Sequence, residues 1–330
     1  MSAVARRLQP SDVEASSSTS GSSPGADASE APGRLALIFR ATRPQYIPTS
    51  LLPGVAGGMV ALGSGQATWW LLVVAILALF CVHAGTDVIN DVEDADRGVD
   101  DESKMDNSRV FTTGLMSIAD GRRVSAGFFA AAFALGTLIA VVQAQPWLFA
   151  IGVAGIAGGA GYSYGPRPLK YAGLGDVAIV FLMGPLLTQG AYTAVTGDAF
   201  HAPAFWLGLA PGLLIASVLQ ANNLSDIPGD RRAGVRTLAV RLGFGAARAL
   251  YFGSLTLTYV TIVALVAAGL FGWPLLVVLL TLPIAAQRVQ QARTADAEGD
   301  ARLVDLAPRT AQLHLLFNVL LIVGVVLAES

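Results

Sequence analysis

Runs of about twenty apolar residues, separated by short turns, recur along this chain from residue 45 to residue 328. A helix of that length spans the ~30 Å hydrocarbon core of a bilayer, and soluble domains rarely contain even one such run. Backbone amides in lipid must be satisfied within the segment, so these runs are expected to be helices. Composition agrees, since 54% of the 330 residues are hydrophobic and 13% are charged. A soluble domain carries about a quarter charged residues. The chain therefore reads as an all-α membrane protein.

Nine transmembrane spans are expected, near residues 45–63, 67–89, 122–143, 146–164, 174–195, 203–223, 245–268, 272–290 and 309–328. Breaks such as Gly63-Ser64-Gly65, Gln145-Pro146 and Gly272-Trp273-Pro274 separate them. With nine spans the loops alternate sides. All 21 Lys and Arg fall in the N-terminal segment, in the loops after spans two, four, six and eight, or at the adjoining span ends. The other loops (GSGQ, QAQP, TGDAFHA and AGLFG) hold none. The positive-inside rule then assigns the N-terminus and the basic loops to the cytoplasm and the C-terminus to the outside. Residues 1–33 are rich in Ser, Gly, Ala and Pro and lack the apolar core of a signal peptide, so a disordered cytoplasmic tail is expected there. Residues 34–330 are expected to form the membrane domain. Cys81 is the only cysteine, which excludes an intrachain disulfide and a cysteine metal cluster. A net charge of −2 says nothing by itself about partners, and no nucleic acid is expected as one.

Charge is unevenly placed on this apolar frame. Nine of the 23 acidic residues lie between Asp87 and Asp106, and the run NDVEDADRGVDD, Asn90 to Asp101, follows span two directly. Asp87, Asp91 and Asp94 are spaced i, i+4, i+7 and share one helical face. Carboxylates that close repel one another unless cations join them. Hard oxygen ligands suit Mg²⁺, which takes one or two carboxylates plus substrate phosphate oxygens. A solvated acidic loop is the plainer alternative. A second cluster, QANNLSDIPGDRRAGVRTLAVRLG, ends span six and places Asn222, Asp226 and Asp230 at i, i+4, i+8. Pro228-Gly229 is expected to break the helix between the two aspartates. Arg231, Arg232, Arg236 and Arg241 follow. Two such clusters at mouths on the same side point to the two halves of a metal–phosphate site.

With both clusters in view, the sequence resembles the UbiA superfamily of intramembrane aromatic prenyltransferases. That family carries the motifs N-D-x-x-D-x-x-x-D and D-x-x-x-D. Asn90, Asp91 and Asp94 fit the first, and Asp226 and Asp230 fit the second. Gly98 stands where the first motif ends in an acid, and Gly98-Val99-Asp100 resembles the ending of the 1,4-dihydroxy-2-naphthoate prenyltransferase branch. Arg43-Pro44…Pro48, the loop Gly165-Pro166-Arg167-Pro168-Leu169…Gly173-Leu174-Gly175-Asp176, and Ala233-Gly234…Arg236-Thr237-Leu238-Ala239 are similar to stretches of the same branch. The resemblance runs from about Arg43 to the last helix. It departs at Ser225, where that branch has Arg, and at Val235, where it has Lys.

The resemblance implies a nine-helix bundle with a central cavity open to the cytoplasmic side. It also implies a polyprenyl diphosphate donor, an aromatic acceptor and Mg²⁺. Asp91, Asp94, Asp226 and Asp230 would be the catalytic acids that hold Mg²⁺, with Asn90 beside them. Lys104, Arg109, Asn222, Arg232 and Arg236 are candidates for the diphosphate. Arg43, Asp100, Tyr164 and Asp176 are candidates for the acceptor site. Each of Arg43, Tyr164 and Asp176 also has a plain membrane reading, as snorkelling anchor, belt residue or helix N-terminal charge. Glu93, Asp96 and Asp101 are expected as solvated charge. His83, His201 and His314 show no ligand spacing. Among acceptors 1,4-dihydroxy-2-naphthoate is favoured; homogentisate, 4-hydroxybenzoate, haem, glycerol phosphate or a terpene cyclisation without acceptor are the alternatives. A transporter is disfavoured, because transporters place ionisable residues near the midplane and these acids sit at span ends.

Overall fold

The computed structural model describes residues 32–65, 67–99 and 108–329. The expected N-terminal tail falls almost entirely outside the described residues, as do Asp100, Asp101 and Lys104. Regular structure among the described residues is helical throughout. A short helix α1 (Arg34–Ala41) precedes α2 (Ile47–Gly63), α3 (Trp69–Asp96) and α4 (Ile118–Val142). Then come α5 (Trp147–Ser163), α6 (Leu169–Ala172), α7 (Gly175–Leu182), α8 (Pro185–Thr196) and α9 (Ala202–Arg232). The chain closes with α10 (Leu238–Leu242), α11 (Phe244–Ala267), α12 (Leu282–Arg293) and α13 (Leu306–Glu329). Among the described residues eight segments are long and apolar enough to cross a membrane, and α5, with 17 residues, is a shorter apolar helix where the fourth span is expected.

Helix length decides where the charges go. At 1.5 Å per residue, the 28 residues of α3 and the 31 of α9 extend roughly 42 and 46 Å, well beyond a ~30 Å hydrocarbon core. The excess lies at the C-terminal ends of both helices, and these ends carry the two acidic clusters. Ion pairs tie the same end together: Arg122 of α4 meets Glu93 and Asp96 of α3, and Arg231 of α9 meets Glu298. All five tryptophans sit within the first two turns of the segments that start at the opposite end, at positions 69, 70, 147, 206 and 273. Tryptophan concentrates where hydrocarbon meets headgroups, so the bundle has an aromatic rim opposite its acidic one. Val141, Leu280 and Trp273 are 67–79% exposed, as side chains facing lipid should be.

Two expectations need correction. Span five is two helices rather than one, because Pro185 has no amide to donate and Gly184 adopts an irregular conformation (φ −119°, ψ −99°). The break lets α9 approach closely, since a Cβ at Gly184 or Gly212 would overlap the carbonyl oxygen of Gly208 or Val180. The break expected at Pro228-Gly229 does not occur, and α9 runs unbroken to Arg232. Pro228 lies near the helix end, so it forfeits one backbone hydrogen bond and leaves Asn222, Asp226 and Asp230 on one face.

The two halves of the bundle pack differently. The larger core, with Leu207, Leu214, Leu224, Tyr251, Ile262, Leu313 and Phe317 fully buried, fills the space between α9, α11 and α13. Helices α2, α3, α4, α5, α7 and α8 instead surround a cavity closed on its far side by α9. Small residues let that ring close. A Cβ at Gly57 of α2 would overlap the backbone of Thr188 in α8. Replacing Gly57 with Val is expected to cost about 1–3 kcal/mol through overpacking. The same change at Gly253, where nothing lies within 4 Å, is expected to cost little. Thermal unfolding of the two variants in detergent measures the difference.

Candidate active site

The two acidic clusters meet in one chamber of about 140 Å³. Asn90 and Asp94 contribute from α3, and Asn222, Asn223, Asp226 and Asp230 from α9. The i, i+4 spacing on α3 and the i, i+4, i+8 spacing on the continuous α9 aim both sets of oxygens into the same space. Arg43, Tyr162 and Lys170 complete the polar lining. Lys170 stands on α6, a one-turn helix bracketed by Pro168 and by Gly173 in the left-handed conformation (φ 77°). Its Nζ lies 2.5 Å from Asp94 Oδ2 and 3.3 Å from Asn90 Oδ1, which also accepts a 2.6 Å hydrogen bond from Ser163. On the other wall Asn222 donates to Asp226 at 3.3 Å, Ser225 donates to the Asn222 carbonyl at 2.8 Å with its hydroxyl 3.3 Å from Asp226, and Thr237 donates to Asp230 at 3.2 Å.

Asp91 behaves differently. It lines neither this chamber nor its neighbour. Its carboxylate accepts from the Ser108 amide at 2.8 Å and lies 3.5 Å from Arg43 Nη1. Arg43 itself has a left-handed backbone (φ 50°, ψ 62°), a strained state for a non-glycine residue that the surrounding contacts must hold. The Tyr46 ring lies 5.2 Å from its guanidinium. Glu93 also departs from expectation. It is 4% exposed rather than solvated, and pairs with Arg122 at 2.8 Å and Arg97 at 3.6 Å. Asp96 remains at the surface, paired with Arg122.

Beneath the polar chamber is a larger, mainly apolar cavity of about 340 Å³. The two share Arg43, Asn90, Tyr162, Leu219 and Asn222, so they are contiguous. Ile151, Val153, Ile156, Ile179, Leu182 and Leu187 are among the apolar lining, which is interrupted by Ser50, His83 and Asp87.

The arginines expected from sequence lie elsewhere. Arg109 lines neither cavity, Arg232 is exposed and donates to the Pro228 carbonyl, and the Arg236 side chain is exposed. Tyr164 is 52% exposed, whereas Tyr162, two residues earlier, faces both cavities. Asp176 is buried against α9, where Gln220 hydrogen-bonds its carboxyl group. Lys170 was missed in the sequence although it directly follows the Gly165–Leu169 loop and is one of two lysines in the chain.

The donor set fits a hard divalent ion. Among the described residues no three His, Cys, Asp or Glu side chains stand close enough to hold a metal by themselves. The chamber offers three carboxylates and three amide side chains on opposing walls. That arrangement suits Mg²⁺ completed by phosphate oxygens, and not an all-protein cage.

The UbiA prenyltransferase family model matches residues 50–316. The chain is 36% identical over 236 residues to a Mycobacterium tuberculosis protein named 1,4-dihydroxy-2-naphthoate octaprenyltransferase, covering 67% of this chain and 76% of that one. It is 24% identical over 292 residues to the Bacillus subtilis protein of the same name, covering 88% and 93%. A solved UbiA homologue from Archaeoglobus fulgidus bound to GPP and Mg²⁺ superposes with a TM-score of 0.59 at 19% identity, covering 86% of this chain and 99% of that one.

Breaking the Arg43–Asp91 pair from one side leaves a buried charge without its partner, which costs about 3–5 kcal/mol. Arg43→Met is therefore expected to unfold well below the wild type in detergent. The double variant Arg43→Met/Asp91→Asn should recover part of the loss, and a double-mutant cycle of melting temperatures reads the coupling.

Proposed function

The chain belongs to the UbiA prenyltransferase family and is an integral membrane prenyltransferase, and on that premise we propose that it transfers a polyprenyl group from a polyprenyl diphosphate to 1,4-dihydroxy-2-naphthoate in a Mg²⁺-dependent reaction. The observation that carries this reading is the contiguity of a small oxygen-rich chamber with a larger apolar cavity. An amphiphilic diphosphate needs that pairing: a charged compartment for the head and a dry one for the tail. The names of the mycobacterial and bacillar relatives support the naphthoate acceptor.

In this mechanism Asp94, Asp226 and Asp230, with Asn90, would hold Mg²⁺, which when bound would stabilise charge on the departing diphosphate. Lys170 and Arg43 face the same chamber and would neutralise phosphate oxygens directly. Asn222 stands at the boundary of the two cavities and would orient the first phosphate. The apolar walls keep water from the allylic carbon, so the aromatic ring attacks in its place. Asp91 would act one contact away, fixing Arg43 at the boundary.

The segregation of Lys and Arg supports a cytoplasmic position for the chamber and the N-terminus. Helix α5 would be the ninth crossing, since 17 residues give about 26 Å.

The test is purified protein in lipid with a mixture of prenyl diphosphates and a panel of aromatic acceptors, read by product mass spectrometry. Prenylated naphthoate product is expected, and EDTA should abolish it. Asp94→Ala and Asp226→Ala should each lower turnover by about 100-fold or more, the scale on which single electrostatic groups act. Asp91→Ala should also lose activity. Undiminished transfer in all three variants sinks the site, and a product only with another acceptor moves the substrate assignment.

A further inference from the structure

The large cavity is mainly apolar, with Thr49, Thr86 and Thr137 among its lining, and one polar cluster stands out on its wall. Ser50 of α2, His83 and Asp87 of α3 stand together on its wall, and none of them belongs to the diphosphate chamber. His83 and its side-chain partners are deep in the protein: His83 is 7% exposed and Ser50 is 2% exposed. His83 Nδ1 lies 2.7 Å from Ser50 Oγ. Met183 Sδ lies 3.7 Å from the same hydroxyl. With its proton on Nδ1, His83 donates to Ser50 Oγ and keeps a free lone pair on Nε2. That lone pair lies 3.4 Å from Asp87 Oδ2. Both atoms are buried and neither has a hydrogen-bond partner. In that tautomer the two facing acceptors have no proton between them, which costs free energy, and a ligand hydroxyl placed there supplies one.

Their position suits the acceptor. His83, Asp87 and Asn90 share one face of α3, and Asn90 borders the diphosphate chamber. The rise per residue places His83 about 10 Å and Asp87 about 5 Å below Asn90 along the axis. An aromatic ring held by its hydroxyl at this pair would lie directly beneath the carbon that leaves the diphosphate.

We infer that Ser50, His83 and Asp87 form the acceptor hydroxyl site, with His83 Nε2 as the base that takes the ring hydroxyl proton. The inference rests on the prenyltransferase reading above and adds to it a base and a binding site for the acceptor. The hydroxyl proton passes to Nε2, and Asp87 stabilises the imidazolium. The electron-rich ring carbon then bonds to the allylic carbon, and the C–O bond electrons leave with the diphosphate. The ring regains aromaticity by losing the carboxylate at that carbon as CO₂. The electron pair so released returns charge to the ring oxygen, and His83 gives the proton back.

The experiment uses the full chain in lipid, with wild type, His83→Gln, Asp87→Asn and the milder Ser50→Ala. Prenyl diphosphate and acceptor are varied separately, and binding of a prenyl thiodiphosphate with Mg²⁺ is measured by calorimetry. His83→Gln should lower kcat by about 100-fold or more, as removal of a general base does. Asp87→Asn and Ser50→Ala should lower it less and raise the acceptor KM. Donor KM, thiodiphosphate affinity and melting temperature should stay within about threefold or a few degrees of wild type. An acceptor with a more acidic hydroxyl should narrow the His83→Gln deficit, which a purely structural role would not do. Retention of kcat and acceptor KM in His83→Gln and Asp87→Asn overturns the inference. So does a parallel loss of donor affinity and stability. A wild type that prenylates no aromatic acceptor overturns the functional reading itself, which separates the two failures.

Discussion

Three carboxylates in the last two turns of α3 are almost completely buried, and each is paired with a cation from another part of the chain. Asp91 meets Arg43, which precedes α2. Glu93 meets Arg122 of α4, and Asp94 meets Lys170 of α6. A buried carboxylate without such a partner costs several kcal/mol, so these pairs are requirements and not ornaments. They bring the entrance to α2, the start of α4 and the turn after α5 around the end of α3. The polar chamber has walls because those pairs form. Surface pairs at the same end, such as Arg123 with Asp120, are exposed and contribute little by comparison.

The division of the bundle follows from the same arrangement. On one side of α9, large apolar side chains fill the space to α11 and α13. On the other side, α9 presents Asn222, Asp226 and Asp230 near its end and Ile215, Val218 and Leu219 below, and a ring of helices closes over an open cavity. Glycines at 57, 184, 208 and 212 let α2, α8 and α9 approach without filling that interior. Helix α9 thus serves as both the wall of a solid core and the wall of a reaction chamber. Its continuity through Pro228 matters for this, because a break there would turn Asp230 away from Asp226.

Much of this was legible in the sequence. The apolar runs gave the helices, and their spacing with the segregated Lys and Arg gave the order of ends. The two acidic clusters pointed to both walls of the chamber, but of Asp87, Asp91 and Asp94, read as one face, only Asp94 lines it. Other parts depended on tertiary partners that periodicity does not encode. Lys170 was hidden because a single lysine after a Pro-rich turn has no pattern, and its role comes from α6 docking on α3. Glu93 read as solvated because sequence does not show that Arg122 folds over it. Arg232 and Arg236 followed an acidic motif closely, yet α9 continues to residue 232 and carries them past the chamber to the surface. Ser50 and His83 are 33 residues apart, so no local motif joins them.

The charge balance of the chamber explains why an ion is needed in the proposed reaction. Its lining has three carboxylates, Asp94, Asp226 and Asp230, against two cations, Arg43 and Lys170. One of those cations is shared with Asp91 and the other with Asp94. Such a chamber has no surplus positive charge to offer a polyanionic diphosphate, and at this depth the repulsion would be weakly screened. A divalent cation held by Asp94, Asp226 and Asp230 would reverse that sign. Val235 sharpens the point, since it lines the chamber where the family pattern has lysine. With that position apolar, the proposed site would depend on a bound ion and on Lys170 for the attraction that a second lysine would have supplied. Lys170 is in turn positioned by Asp94 and Asn90, so the first acidic motif would govern both sources of positive charge at the leaving group.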